Sequence, residues 1–112
     1  MPEHLAVLIT AGSEEEASRI ADALVTELLA ACVSVIPGVT SVYRWEGEMQ
    51  RDEEWLLVAK STRGVFEDLV RCVRALHSYD LPEIIALPVV AGSEAYLRWV
   101  AGEVHGGWHA LD

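Results

Sequence analysis

The chain has 112 residues, enough for one domain with a modest core. Its 18 acidic and 8 basic residues leave a formal charge of −10, which argues against a nucleic-acid or anionic-membrane partner, since either needs a basic patch. Hydrophobic residues reach 52%, and in so small a chain the excess reads as apolar area set aside for self-association.

Two cysteines, Cys32 and Cys72, are too few for a disulfide scaffold and sit inside apolar patterns. Both are expected as reduced thiols of a cytoplasmic protein. The N-terminus lacks the basic region and long apolar core of a signal peptide, and no apolar run approaches the ~20 residues that span a bilayer.

Residues 5–10 (Leu-Ala-Val-Leu-Ile-Thr) form a nearly continuous apolar run, expected as a central strand buried on both faces. Ser13 followed by Glu16 forms a capping box that opens a helix reaching about Leu29, with Ala17, Ile20, Ala21, Leu24 and Leu28 on its apolar side. Residues 31–62 then read as one long β-hairpin with its tip at Glu46-Gly47-Glu48. Each arm of about 13 residues would run roughly 43 Å, whereas a compact domain of this length is roughly 34 Å across. The hairpin must bend, or its far half must pack on another copy of the chain. Pro37-Gly38 marks a bulge, a bend or an edge in the first arm. Val39, Tyr43 and Trp45 beyond it are more apolar than a solvated tip requires.

A second helix is expected over 63–77, capped by Thr62, with Phe66, Leu69, Val70, Val73 and Leu76 buried. A polar loop at 77–83 leads to a strand at 84–90, where Pro88 points to an edge or a bulge. A third helix covers 94–104. The tail at 105–112, with two glycines and no periodicity, is expected to fray. The order β-α-β-β-α-β plus a helix is that of an α+β, ferredoxin-like sandwich, read as a single domain over 1–112. Two helices would cover one sheet face and leave the other in need of a partner.

The chain holds no dinucleotide or P-loop glycine motif, no paired C-x-x-C, no H-E-x-x-H and no nucleophile elbow. No enzyme is expected. Chemistry concentrates in the 77–83 loop, which offers His77, Ser78, Tyr79, Asp80 and Glu83. There His77 is a metal ligand or proton carrier, or else it caps the second helix while the carboxylates bond to turn amides. Lys60 ends an apolar strand and needs solvent or a carboxylate such as Glu83. Trp45 and Trp99 line a cleft or serve packing.

The segment at 29–47 (Leu-Ala-Ala-Cys-Val-Ser-Val-Ile-Pro-Gly-Val-Thr-Ser-Val-Tyr-Arg-Trp-Glu-Gly) closely resembles the signature of the CutA family, the divalent-cation tolerance proteins. So do Leu57-Leu-Val-Ala-Lys60, His77-Ser-Tyr-Asp-Leu-Pro-Glu-Ile84 and Tyr96-Leu-Arg-Trp99. The resemblance implies a tight homotrimer of PII-like architecture in which the hairpins wrap neighbouring subunits. It also implies binding of divalent metal ions such as copper at an intersubunit cleft, with Lys60, Tyr79, Glu83 and Trp99 around it and His77 as the metal residue. No catalytic reaction comes with it. Ser78 stands where the family usually has Pro. Ile9 and Leu76 stand where some members carry a Cys and a second His, so a copper site of that kind would keep only His77. The alternative expectation is a PII-like sensor binding a small anionic metabolite or a protein partner.

Overall fold

The computed structural model describes residues 3–105. The elements are β1 (His4–Ala11), α1 (Glu14–Thr26), β2 (Cys32–Trp45), β3 (Glu48–Thr62), α2 (Phe66–Leu76), β4 (Ile84–Pro88) and α3 (Glu94–Glu103). The strands form one antiparallel sheet in the order β2-β3-β1-β4. β3 therefore separates β1 from β2, and β1 separates β3 from β4. Each β-α-β unit is split by a strand of the other, the ferredoxin-like arrangement expected from the element order.

Period-two alternation sorts the sheet into two faces. Leu5, Val7, Ile9 and Ala11 of β1 pair in register with Ser61, Ala59, Leu57 and Trp55 of β3. This row meets Ala17, Ile20 and Leu24 of α1 and Leu69 and Val73 of α2, and most of it is fully buried. Burying a side chain of this size stabilises the fold by about 1.5–3 kcal/mol. The second face carries Ala6, Leu8 and Thr10 of β1, Leu56, Val58 and Lys60 of β3, and Ile85 and Leu87 of β4. Here the expectation that β1 is buried on both sides fails within one chain. Ala6 and Leu8 are half-buried, and Ile85 and Leu87 are 50% exposed.

The hairpin carries one irregularity, between Ile36 and Val39. Ile36 pairs with Leu56 and Val39 with Glu54, so β2 spends one residue more than β3 on the interval. This is a bulge on an edge strand, with Gly38 supplying φ +74. It has a consequence for every side chain beyond it. Unbroken alternation would put Val33, Val35, Tyr43 and Trp45 on the same face. The extra residue instead gives Val33 and Val35 to the helix side, and Tyr43 and Trp45 to the side of Glu54. At the tip, Glu46 and Gly47 both have positive φ, 52° and 83°, as a two-residue hairpin turn of the primed type requires. The molecule measures 43 × 35 × 23 Å along its principal axes.

Several local expectations are corrected. α1 ends at Thr26 rather than Leu29, and Leu28, expected on its buried side, is 41% exposed at φ 62. The amides of Leu29 and Ala30 bond back to the Leu24 carbonyl and close the helix end. Thr62 makes no side-chain cap. A 3-10 turn, Arg63–Val65, starts the second helical segment instead. β4 stops at Pro88, an edge-strand proline as expected.

α3 crosses the second face near its His4 end. The His4 ring bonds the Leu97 carbonyl at 2.7 Å, and Val100 and Val104 are buried. The His105 amide bonds the Leu28 carbonyl at 3.0 Å. The rest of the expected tail lies outside the described residues.

Candidate functional site

The bulge and the 77–83 loop together make a pocket. A cavity of about 610 Å³ lies on the second face between the outer half of the hairpin and this loop. Its polar lining is acidic and phenolic: Asp52, Glu54, Asp80 and Glu83, with Tyr43 and Tyr79. Thr10, Ser41, Val42, Trp45 and Leu81 complete it, so among the described residues no Lys, Arg or His lines it. Tyr43 and Trp45 are there because the bulge turned them to this side.

Glu54 is the innermost carboxylate, 6% exposed. The Tyr79 hydroxyl donates to its Oε2 at 2.8 Å, and Tyr43 donates to Asp52 Oδ2. Burial, and then the bond to Glu54, raises the Tyr79 phenol far above its ordinary value. Both phenols are therefore fixed donors, and they supply no charge to balance the carboxylates. Glu83 feels the imbalance directly. Although its residue surface is exposed, partial desolvation first and the charge of Glu54 second raise its carboxyl above the usual range. Gly12 makes room for this geometry, since a Cβ there would stand 2.8 Å from the Tyr79 hydroxyl.

His77 stands behind this wall. Its side chain is fully buried, and it is not among the lining residues. Nε2 lies 2.7 Å from the Thr10 carbonyl, which only accepts, so this nitrogen carries a hydrogen. Nδ1 lies 3.0 Å from Glu16 Oε1 and 3.1 Å from the Tyr79 amide. When bare it accepts from Tyr79, and when protonated it donates to Glu16. Both nitrogens are thus engaged, and a cation could bind His77 only by displacing these partners. The ring also lies 4.7 Å from the Tyr79 ring, centre to centre. The alternative role for His77, a side-chain cap on its own helix, is not adopted: its backbone amide closes α2 onto Val73, and the imidazole turns to β1 and α1.

Glu16 does half of what the capping box promises. Ser13 Oγ accepts from the Glu16 amide, but the Glu16 carboxylate turns away to accept from the Ser78 amide at 3.1 Å. Burial acts to raise its pKa and is outweighed by the Ser78 bonds and the charges of His77 and Arg19, so the net shift is downward.

The five expected cleft residues do not meet within one chain. Tyr79 and Glu83 line the pocket with His77 behind them. Lys60 pairs in register with Ala6 and Cys32, whereas the pocket's Thr10 pairs with Leu56, four residues back along β3 and hence roughly 13 Å away. Within one chain, Glu83 is therefore not the partner of Lys60. Trp99 stacks obliquely on Tyr96, 5.5 Å between centres, at the α3 end of the same face. Sequence reasoning missed Gly12, Glu16, Asp52 and Glu54. Only Glu54 carried a usable signal, a charge at the position where the apolar alternation of Leu56 and Val58 continues outward.

The oxygen-only donor set suits a hard, hydrated ion better than a soft one. Among the described residues no three His, Cys, Asp or Glu side chains stand close enough to cage an ion. Nor, among those residues, is any helix long and apolar enough to cross a membrane.

Comparison with known proteins agrees with this architecture. The family model described as CutA1 divalent ion tolerance protein matches residues 5–103. The divalent-cation tolerance protein CutA of Thermus thermophilus is 54% identical over 94 residues, covering 84% of this chain and 91% of that one. The chloroplastic CutA of Arabidopsis thaliana is 45% identical over 96 residues, which span 86% of this chain but only 53% of the plant protein. Among solved structures, the Thermus thermophilus protein superposes with a TM-score of 0.90 at 50% identity, covering 91% of this chain and 99% of that one. CutA1 from Oryza sativa gives 0.91 at 39% identity, covering 95% and 97%. By sequence match and by fold, the chain belongs to the CutA1 divalent-ion tolerance family.

Proposed function

We propose that this protein is a homotrimeric, PII-like binder of divalent cations that takes them, with their water, into the acidic pocket. The observation that carries the reading is Glu54, a carboxylate 6% exposed whose hydrogen-bond partner is a phenol and which forms no ion pair among the described residues. A buried charge without a counter-charge is expensive, and a cation removes the expense. His77 serves as a positioning residue, holding the loop that presents Tyr79 and Glu83, rather than as a ligand. The pocket's oxygen donors favour a hard ion such as manganese over copper. An anionic metabolite would meet carboxylates and, among the described residues, no cationic side chain, which disfavours the sensor reading. The uncovered apolar second face supports the trimer, and a neighbour packed there would bring its own side chains toward the pocket's open side. The two free cysteines suit a reducing cytoplasm.

Calorimetric titration with manganese tests the pocket. Wild type should bind with a Kd on the order of 10⁻⁴–10⁻³ M, the range of weak carboxylate sites. The double variant Glu54→Gln/Glu83→Gln should bind roughly tenfold more weakly, a loss of about 1.4 kcal/mol. Equal affinities would remove the pocket from the account.

A further inference from the structure

At the other end of the second face, Cys32 and Lys60 are direct cross-strand partners on β2 and β3. Lys60 Nζ lies 3.8 Å from Cys32 Sγ. It donates to Ser34 Oγ at 2.7 Å and to the Val58 carbonyl at 3.4 Å. These acceptors are neutral, and no ion pair holds Lys60 among the described residues. The Tyr96 phenol of α3 faces the same sulfur, and burial together with that contact raises its pKa. A thiol, a primary amine and a phenol thus converge on one spot, with Cys32 half-buried. The second thiol offers no competing chemistry. Cys72 is buried in the helix layer on the opposite side of the sheet, and burial pushes it up to about 11. No disulfide within the chain can form between the two.

We propose that Cys32 and Lys60 form a redox-controlled covalent link between β2 and β3, made with hydrogen peroxide as oxidant. In the first step Cys32 Sγ attacks one peroxide oxygen and the O–O bond breaks. Sulfur is oxidised to the sulfenic acid, and the other oxygen leaves as water, carrying the thiol proton. The Lys60 ammonium beside the sulfur donates a hydrogen bond to the departing oxygen. In the second step Lys60 first gives its ammonium proton to solvent and then directs its Nζ lone pair at Sγ. The S–O bond breaks, the hydroxyl leaves as water with one amine hydrogen, and an S–N bond remains. The protein has lost two hydrogens, and the peroxide has become two waters' worth of oxygen. A thiol reductant attacking Sγ reverses the link and frees the amine.

Geometry favours the second step, because 3.8 Å is close to the near-attack separation of about 3–3.5 Å and the pair is held by a strand ladder. The link would remove the positive charge from this end of the face beside Tyr96 and Trp99, while locking the proximal half of the hairpin. It gives Lys60 a chemical role away from the acidic pocket and does not depend on cation binding there.

The test treats wild type, Lys60→Arg and Cys32→Ser with hydrogen peroxide, with and without the sulfenic-acid trap dimedone, followed by tryptic digestion and mass spectrometry. In wild type, cleavage after Lys60 should be lost, and the peptides carrying Cys32 and Lys60 should appear joined and two hydrogens lighter. Dithiothreitol should restore both. Lys60→Arg keeps the charge but not the nucleophile, so its Cys32 should label with dimedone roughly tenfold more than in wild type, where intramolecular capture wins. Equal labelling without a joined peptide overturns the proposal. So does an unmodified Cys32, a sulfinic acid in place of the link, or a joined peptide in Cys32→Ser.

Discussion

His77→Ala is expected to lower the unfolding free energy by about 3–5 kcal/mol, the range for breaking a buried, hydrogen-bonded pair from one side. The imidazole is fully buried, and it ties three elements together: the Thr10 carbonyl of β1, the Glu16 carboxylate of α1 and the Tyr79 amide of the loop. Removing it leaves Glu16 buried beside a void and frees the loop that seats Tyr79 on Glu54. Urea denaturation at fixed protein concentration measures the loss, with the slope checked for constancy. A change below about 1 kcal/mol, the effect of an ordinary single contact, would show that the network does not hold the loop.

The same network sets an acid limit. The folded-state pKa of Glu16 is lowered, so its contribution is present above the unfolded carboxyl value, about 4.3, and is lost as pH falls through the lower folded value. Glu16→Gln should therefore lose stability relative to wild type at neutral pH, and the two should converge in strong acid. Divergence growing toward acid would reverse the sign assigned to this group. Glu83 has the opposite sign, since its folded carboxyl is raised. Its ionisation weighs against the fold as pH rises through that value, and a cation held in the pocket as proposed would relieve it.

The parts of this molecule legible in the sequence were those governed by local periodicity. Strand and helix order, the edge position of Pro88 and the break at Pro37-Gly38 all follow from rules acting within a few residues. What stayed hidden depends on register between distant segments. Glu16 read as a capping residue because its amide does cap, yet its carboxylate meets Ser78 and His77, more than 60 residues away. Lys60 and Glu83 looked like partners because each stands at the border of an apolar strand; only the pairing of β1 with β3 shows that they belong to opposite ends of the face. The bulge was legible as an irregularity, but its effect, turning Tyr43 and Trp45 toward Glu54, needed the observed one-residue slip. The family resemblance put Tyr79, Glu83 and His77 around one cleft without distinguishing the pocket wall, where Tyr79 and Glu83 stand, from the buried imidazole behind it.

The second face makes a sharper demand. Ile85 and Leu87 of β4 are each 50% exposed, and Ile36 is 43% exposed, beside half-buried Leu8, Leu56 and Val58. If three chains cover these faces on one another, light scattering should give about three times the 12.3 kDa chain mass. Ile85→Asp should then reduce it to a single chain. In an isolated subunit the substitution is nearly harmless, because surface changes away from special features stay within about 0.5 kcal/mol. In the assembly each copy would bury a carboxylate among aliphatic side chains and give up about 1.5–3 kcal/mol of apolar burial. The penalty recurs at every interface of a closed trimer, so a modest term per subunit becomes decisive for association. Circular dichroism separates the outcomes: a folded monomer is the expected result. An unchanged mass would mean that Ile85 faces solvent in the assembled protein and that the cover for this face lies elsewhere.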